Sequence, residues 1–125
     1  MPQTALVVDD SLLIRHAVRR FLEDRGYTVE VACDGLEGLA ILNRFTPALI
    51  VTDLMMPKLS GADFVREVRR RPAFTNTLIL VVAGRRGSTA PATIEGADHV
   101  IYKDIDLVEQ LTATLDQIAV GQAAL

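Results

Sequence analysis

Short apolar runs alternate with amphipathic segments along the whole chain. The runs at 48–52 and 78–83 are apolar on both faces, which predicts buried central strands, and shorter runs lie at 5–8 and 99–102. Residues 27–32 alternate between apolar and polar side chains, which is typical of an edge strand. The pattern therefore predicts five strands, each separated from the next by a segment of helical length.

The segments between and after these strands carry helix signals. Ser11, Asp34, Ser60 and Asp106 each precede residues with apolar side chains three or four positions apart, so each is predicted to cap a helix. The helix after Asp34 is predicted to run to about Phe45. The inner faces of the first, third and last of these helices are predicted to be Ile14, Val18, Phe21 and Leu22; Phe64, Val65 and Val68; and Val108, Leu111, Leu115 and Ile118.

A further helical segment, 84–95, is the weakest of the set. Gly84, Gly87 and Pro91 all disfavour a regular helix there. Five strands alternating with five helices nevertheless predict an α/β fold with a doubly wound parallel sheet. Because ligands in such folds bind beyond the carboxyl ends of the strands, the residues at those ends are the candidates for chemistry.

Composition fits one globular domain spanning 1–125. Of the 125 residues, 50% are apolar and 23% are charged, and the formal net charge of −3 argues against a general nucleic-acid binder. No apolar run is long enough to cross a membrane, and the N-terminus shows no secretion signal. The single cysteine, Cys33, has no partner for an internal disulfide, which fits a reducing compartment. We therefore expect a cytoplasmic domain.

Four charged residues follow the predicted strands. Asp9 and Asp10 end the first strand, Asp53 ends the third and Lys103 ends the fifth. All four are therefore expected at one edge of the sheet. Three neighbouring carboxylates disfavour one another's ionised forms, and a divalent cation that prefers oxygen ligands, such as Mg²⁺, would relieve the repulsion. A carboxylate beside Mg²⁺ and a lysine can also attack a phosphoryl group.

A plainer interpretation applies to each residue alone. An aspartate at a strand end usually caps a helix or a turn, and Asp10 by itself would be interpreted in that way. The joint pattern is much harder to explain by chance, because the chain has only two lysines, Lys58 and Lys103, and one of them follows the fifth strand. The set is therefore interpreted as a candidate metal and phosphoryl site.

With these residues considered together, the chain resembles the receiver domains of two-component response regulators, and particularly the single-domain chemotaxis regulators. The resemblance covers almost the whole chain, and it implies a flavodoxin-like fold with strand order 2-1-3-4-5. It rests on the order and spacing of Val7-Val8-Asp9-Asp10-Ser11, Asp53-Leu54-Met55-Met56-Pro57, Ser60-Gly61, Gly96-Ala97-Asp98 and Lys103.

The resemblance also implies a role for each matching residue. Asp53 is the expected phosphoacceptor, Asp10 and Asp53 are the expected direct ligands of Mg²⁺ or Mn²⁺, and Asp9 is an expected ligand through water. The backbone carbonyl of Met55 is expected to complete the protein ligands, and Lys103 is expected to pair with the carboxylate or the phosphoryl oxygens. The expected donor is a histidine kinase or a histidine phosphotransfer protein. The expected output is contact with another protein, without direct binding of nucleic acid or membrane.

Three positions depart from the family pattern. Val82 stands at the end of the fourth strand where threonine or serine is usual, and Val100 stands three residues before the lysine where an aromatic residue is usual. Tyr102 is expected on the opposite face of the strand from Val100. Asp104 follows Lys103 in place of the usual proline, so the bond between them is expected to be trans. The family's coupling between a hydroxyl and an aromatic side chain, which reports phosphorylation, is not expected in its usual form.

Three functions stay open at this stage. The leading one is a phosphoacceptor receiver. The alternative, favoured by Val82, Val100 and Asp104, is a pseudo-receiver that binds partners without control by phosphorylation. An enzyme that turns over phosphate esters is less favoured, because Met55 occupies the position two residues after Asp53 where such enzymes carry an acid–base residue. The segment 84–95 is either a tolerated loop or the part of the chain on which phosphorylation acts.

The first helix opens with three consecutive apolar residues, Leu12, Leu13 and Ile14. One buried face does not require all three. Some of them are expected to be exposed beside the acidic residues, and the resemblance to receiver domains implies that this surface of the first helix meets the phosphodonor.

Overall fold

A parallel sheet of five strands runs through the middle of the molecule, and helices cover both of its faces. The computed structural model describes residues 3–84 and 93–123. The strands are β1 (Gln3–Val8), β2 (Tyr27–Ala32), β3 (Leu49–Asp53), β4 (Leu78–Ala83) and β5 (His99–Tyr102). The helices are α1 (Leu12–Asp24), α2 (Gly35–Leu42), α3 (Gly61–Arg69) and α4 (Leu107–Ala123), with a short 3₁₀ helix at Pro72–Phe74.

The strand order is β2-β1-β3-β4-β5 and every neighbouring pair is parallel, which confirms the predicted flavodoxin-like fold. As predicted, β2 lies at one edge, while β3 and β4 lie inside the sheet and are almost entirely buried. The chain passes from β1 to β2 on one side and then returns to place β3 on the other side of β1. The carboxyl ends of β1 and β3 therefore flank the point where the strand order reverses.

The described residues contain four α-helices, whereas the sequence pattern predicts five. The difference falls on the segment 84–95. Residues 85–92, which include Gly87 and Pro91, lie outside the described residues, and Gly84 and residues 93–95 are not helical. Within 3–84 and 93–123, no helix is both long enough and apolar enough to span a membrane.

Strand side chains point alternately into two apolar cores. In β1, Leu6 and Val8 pack on the face covered by α2 and α3. Ala5 and Val7 pack on the opposite face, which α1 and α4 cover. This alternation is expected of a strand buried on both faces, and it leaves only the ends of the sheet for polar chemistry.

The inner face of α4 differs from the prediction by one position. The pattern predicts Val108 on that face, but Val108 is 50% exposed and Leu107 is buried instead. Because α4 begins at Leu107, the buried stripe starts there and continues through Leu111 and Leu115 at four-residue spacing.

Helix α2 ends earlier than predicted, at Leu42 instead of about Phe45. The amides of Asn43 and Arg44 donate to carbonyl groups three residues earlier, at 3.2 and 3.1 Å, which tightens and closes the last turn. Pro47 comes soon afterwards and disfavours a helical conformation in the residue before it. The chain can therefore turn into β3 within a few residues.

Three of the predicted helix caps are present. Side-chain oxygens of Ser11, Asp34 and Ser60 accept hydrogen bonds from the backbone N–H three residues later, at 3.3, 2.8 and 3.2 Å. Each of these helices follows a strand, so each begins at the carboxyl edge of the sheet. Their N-terminal ends, which carry partial positive charge, are therefore at the same edge as the strand-end carboxylates.

Gly61 brings the start of α3 against the end of β3. Its N–H donates to the carbonyl of Leu54 at 2.7 Å. A Cβ at this position would overlap the backbone carbonyl oxygen of Asp53 and would lie 2.7 Å from the Cα of Leu54. Only a residue without a Cβ fits here without moving the backbone that carries Asp53.

We expect Gly61→Ala to destabilise the metal-free protein by about 2–3 kcal/mol, because the added methyl group meets backbone atoms that no rotamer change can move. Urea unfolding measures the loss. The control is Ala62→Gly, which removes a methyl group one residue along and should cost about 1 kcal/mol or less. Wild-type stability in Gly61→Ala would contradict the close approach.

Candidate functional site

The strand-end carboxylates come together as predicted. Asp9 follows β1, Asp10 is the next residue, and Asp53 is the last residue of β3. One carboxylate oxygen from each of the three lies within 4.8 Å of the others, which is close enough for a single cation. Asp9 and Asp53 are buried, whereas Asp10 is exposed, so the cluster opens to solvent on the side of Asp10.

Lys103 joins this cluster from the end of β5. Its Nζ lies 3.0 Å from Oδ2 of Asp53 and 3.3 Å from Oδ2 of Asp9. Its backbone N–H donates to the carbonyl of Ala83 at 3.1 Å, which extends the pairing of β5 with β4 by one residue. All peptide bonds of the described residues are trans, including the bond to Asp104, as predicted.

Burial and charge perturb the central pair. The pKa of Asp53 is raised to about 6, and burial is the largest cause; the hydrogen bond from Lys103 opposes it, while the negative charge of Asp9 adds to it. For Lys103, burial lowers the pKa, but the hydrogen bond to Asp53 and the negative charges of Asp9 and Asp53 outweigh burial, so the net pKa is raised. One lysine therefore compensates only part of the negative charge at this edge.

Hydrogen bonds from nearby groups hold Asp9 and Asp53 in place. Oδ1 of Asp9 accepts the N–H of Ser11 at 2.8 Å, and the guanidinium of Arg15 donates to the Asp9 carbonyl at 2.9 Å. Oδ1 of Asp53 accepts the N–H of Met55 at 3.4 Å. The expected role of the Met55 carbonyl as a metal ligand stays a prediction.

The two atypical positions lie on different faces of the sheet. Val82 is 1% exposed, is paired in register with Asp53 and packs in the core beneath α1 and α4. Val100 is half-buried and packs on the α2–α3 face. Tyr102 packs on that same face, while Ile101 packs on the other. The expectation that Tyr102 and Val100 lie on opposite faces is wrong, because residues two apart in a strand share a face.

Several large apolar side chains are exposed in the segments that follow the charged strand-end residues. Leu12 and Leu13, at the start of α1, are 71% and 77% exposed, and Met55, in the loop after β3, is 74% exposed. Ile105, in the loop between β5 and α4, is fully exposed. Ile14, the third apolar residue of the run, instead packs against the core. The prediction that part of this run is exposed is confirmed.

Comparison with known proteins agrees with this geometry. The family model described as the response regulator receiver domain matches residues 5–116. The chain belongs to the response regulator receiver family. Receiver domains are signalling domains of two-component systems that bind Mg²⁺ at an acidic pocket, and this chain has a cluster of three acidic residues.

Relatives and solved structures show the same relationship. The chain is 35% identical over 111 residues to the response regulator MprA of Mycobacterium sp. (strain KMS), an alignment that covers 89% of the chain and 48% of the relative. It is 33% identical over 114 residues to the transcriptional regulatory protein TrcR of Mycobacterium tuberculosis, covering 91% of the chain and 44% of that protein. The receiver domain thus spans about half the length of these relatives.

Among solved structures, the chemotaxis response regulator CheY4 of Vibrio cholerae superposes with a TM-score of 0.83 at 33% identity, covering 94% of this chain and 99% of that one. A response regulator receiver domain protein of Clostridium thermocellum gives a TM-score of 0.79 at 26% identity, covering 98% and 99%. The receiver domain therefore shares the chemotaxis-type fold along almost its whole length.

The raised pKa of Asp53 generates a stability prediction. An acid whose folded pKa of about 6 exceeds its ordinary value of 3.8 destabilises the fold when it ionises. In chelator, we therefore expect Asp53→Asn to melt at a higher temperature than wild type above about pH 6, and we expect the gain to vanish as the pH falls from about 6 to about 4.

Calorimetric melting across this pH range measures the difference. The matched control is Asp116→Asn, because the Asp116 side chain is 60% exposed on α4 and its ion pair with Arg25, at 2.9 Å, lies at the surface, where such pairs contribute little. Its melting temperature should differ little from wild type at every pH. A lower melting temperature for Asp53→Asn at neutral pH would contradict the electrostatic crowding described above.

Proposed function

We propose that this receiver domain accepts a phosphoryl group on Asp53 from a histidine kinase or a histidine phosphotransfer protein, and that other proteins read the phosphorylated state by contact. The observation that supports this function best is the convergence of Asp9, Asp10, Asp53 and Lys103 at the edge where the strand order reverses. A structural role would not require three carboxylates within 4.8 Å of one another.

Asp53 is the proposed nucleophile. A pKa of about 6 leaves its carboxylate ionised at neutral pH, which is the nucleophilic form. One of its oxygens forms the new O–P bond as the N–P bond of the donor phosphohistidine breaks. The imidazole leaves with the bonding electrons and takes up a proton from solvent, so the negative charge stays on the phosphoryl oxygens.

The acidic residues fit a divalent cation, because their oxygens are close together and Lys103 alone leaves excess negative charge. Mg²⁺ or Mn²⁺ would be held by Asp10 and Asp53 directly, by Asp9 through water and by the Met55 carbonyl, and when bound would neutralise charge on the phosphoryl oxygens.

Lys103 is the proposed partner of the transferred group. In the structure its ammonium group contacts Asp53 and Asp9, within reach of the oxygen that would carry the phosphoryl group. An ammonium group placed beside the nucleophile stabilises negative charge that develops during transfer. Lys103 also favours the ionised, nucleophilic form of Asp53.

The exposed apolar residues are the proposed docking surface for the phosphodonor. Leu12, Leu13 and Ile105 are solvent-exposed in elements that begin or end at the carboxyl edge of the sheet. Apolar contacts around a charged centre would bury surface and exclude water from the transfer site.

The proposed location of the receiver domain is the cytoplasm. Cys33 is the chain's one cysteine and has no partner for an internal disulfide, which fits a reducing compartment.

The pseudo-receiver remains less favoured than the phosphoacceptor. Val82 and Val100 alter how a phosphoryl group would be sensed, but neither removes a charged residue of the site. In the proposed reaction, the receiver domain transfers a phosphoryl group only to its own Asp53, and that group is then lost to water slowly at most.

Intact-mass spectrometry after incubation with acetyl phosphate and Mg²⁺ tests the phosphoacceptor. We expect the wild type to gain one phosphoryl mass and Asp53→Asn to gain none, because the amide is not a nucleophile of comparable strength. Asp116→Asn, the same chemical change on exposed α4, should be labelled like wild type. Labelling of Asp53→Asn would show that another residue accepts the phosphoryl group, and absence of wild-type labelling would favour the pseudo-receiver.

Val82 generates a second prediction, because a hydroxyl at this position would add a hydrogen-bond donor beside Asp53, its register partner. We expect Val82→Thr to raise the rate of phosphoryl uptake by up to about tenfold, the effect of one added hydrogen bond. The control is Val81→Thr, which places the hydroxyl on the opposite face of β4 and should leave the rate unchanged. Equal rates in the two variants would show that position 82 does not reach the phosphoryl group.

A further inference from the structure

Gln110 of α4 is bonded to the outer edge of β5. Its side-chain Nε2 donates to the carbonyl of Tyr102 at 2.9 Å, and its Oε1 accepts the N–H of the same residue at 2.9 Å. One side-chain amide therefore satisfies both backbone groups of the last residue of β5. A neighbouring strand would normally provide this pairing, and β5 is the terminal strand of the sheet.

A further hydrogen bond fixes the orientation of the Gln110 side-chain amide. Nε2 also donates to Oδ1 of Asp106, at 3.0 Å, one helical turn earlier. The Tyr102 carbonyl receives a second hydrogen bond from the N–H of Asp104, at 2.8 Å. Proline, which the family resemblance leads one to expect at position 104, has no N–H and could not make this bond.

Hydrogen bonds on both edges of β5 hold the backbone next to the Lys103 side chain. Tyr102, the residue before it, is bonded outward to Gln110, and Lys103 itself donates inward through its N–H to Ala83 of β4 at 3.1 Å. The direction in which the Lys103 side chain leaves the strand is therefore set by an edge that Gln110 completes. Its Nζ reaches Asp53 at 3.0 Å from this backbone.

We propose that Gln110 is a positioning residue for Lys103, in a chain whose lysine is followed by aspartate. The amide holds the end of β5 in a strand conformation and so keeps the ammonium group directed at Asp53. The effect of Gln110 on phosphoryl transfer rests on the proposed phosphoacceptor function. The effect of Gln110 on the backbone of β5 is independent of that function.

The test replaces Gln110 by leucine, which keeps the helix propensity of α4 and removes both hydrogen bonds. Gln117→Leu makes the same change at an exposed position of the same helix and serves as the matched control. Gln110→Ala is the second variant should the first not fold. Amide hydrogen exchange is measured in chelator, so this part of the test needs no phosphorylation.

We expect the amide of Tyr102 to exchange at least about tenfold faster in Gln110→Leu than in wild type, because it loses its acceptor. The Lys103 amide should also exchange faster, while Gln117→Leu should leave both amides unchanged. Wild-type exchange at both amides in the Gln110 variants would overturn the positioning role, whatever the outcome of the phosphorylation experiments.

Phosphoryl uptake from acetyl phosphate separates positioning from general destabilisation. We expect Gln110→Leu to slow uptake by about tenfold and Gln117→Leu to leave it unchanged. In a Lys103→Ala background, Gln110→Leu should cause no further loss, because a residue that acts through Lys103 has no effect once the ammonium group is gone. If Gln110→Leu slowed uptake by the same factor in the Lys103→Ala background as in wild type, the proposal would be overturned.

A wild type that takes up no phosphoryl group would refute the proposed function, and the exchange measurement would still decide the role of Gln110.

Discussion

Electrostatic crowding at one end of the sheet is the constraint on which the rest of the structure depends. Asp9, Asp10 and Asp53 have oxygens within 4.8 Å of one another, and burial raises the pKa of Asp53 to about 6 even with Lys103 at 3.0 Å. A single ammonium group cannot balance three carboxylates. The unbalanced charge disfavours the metal-free fold, and a divalent cation bound at these carboxylates would relieve it.

The scaffold determines how closely these groups can approach. Parallel strands bring residues far apart in the chain to one edge, and Gly61 allows α3 to pack against the backbone of Asp53 itself. Lys103 comes from the terminal strand, where one edge has no neighbouring strand to hold it, and the Gln110 side chain supplies the hydrogen bonds of that edge. The charged groups of the site are thus fixed by backbone contacts on every strand that contributes one.

Sequence patterns predicted the strands and the acidic cluster, because strand runs are local and the residue at a strand end must lie at the sheet edge. The strand order came only from the resemblance to the receiver family. Sequence reasoning did not predict that Gln110 pairs with Tyr102, or that the Arg69 guanidinium joins the Gly96 carbonyl and the Asp98 carboxylate at 2.8 and 3.0 Å. Such contacts depend on how elements pack, which no local pattern records. The error at Val108 has a simpler origin, since shifting a helix start by one residue rotates its buried face by about 100°.

Calorimetric titration of the metal-free protein with Mg²⁺ at neutral pH tests the central claim most directly, because it measures the cation that the crowded carboxylates are proposed to hold. The account predicts one site on the wild type, at least about tenfold weaker binding to Asp53→Asn because a charged ligand is lost, and unchanged binding to Asp116→Asn. Equal binding to wild type and Asp53→Asn, or no binding to wild type, would contradict it.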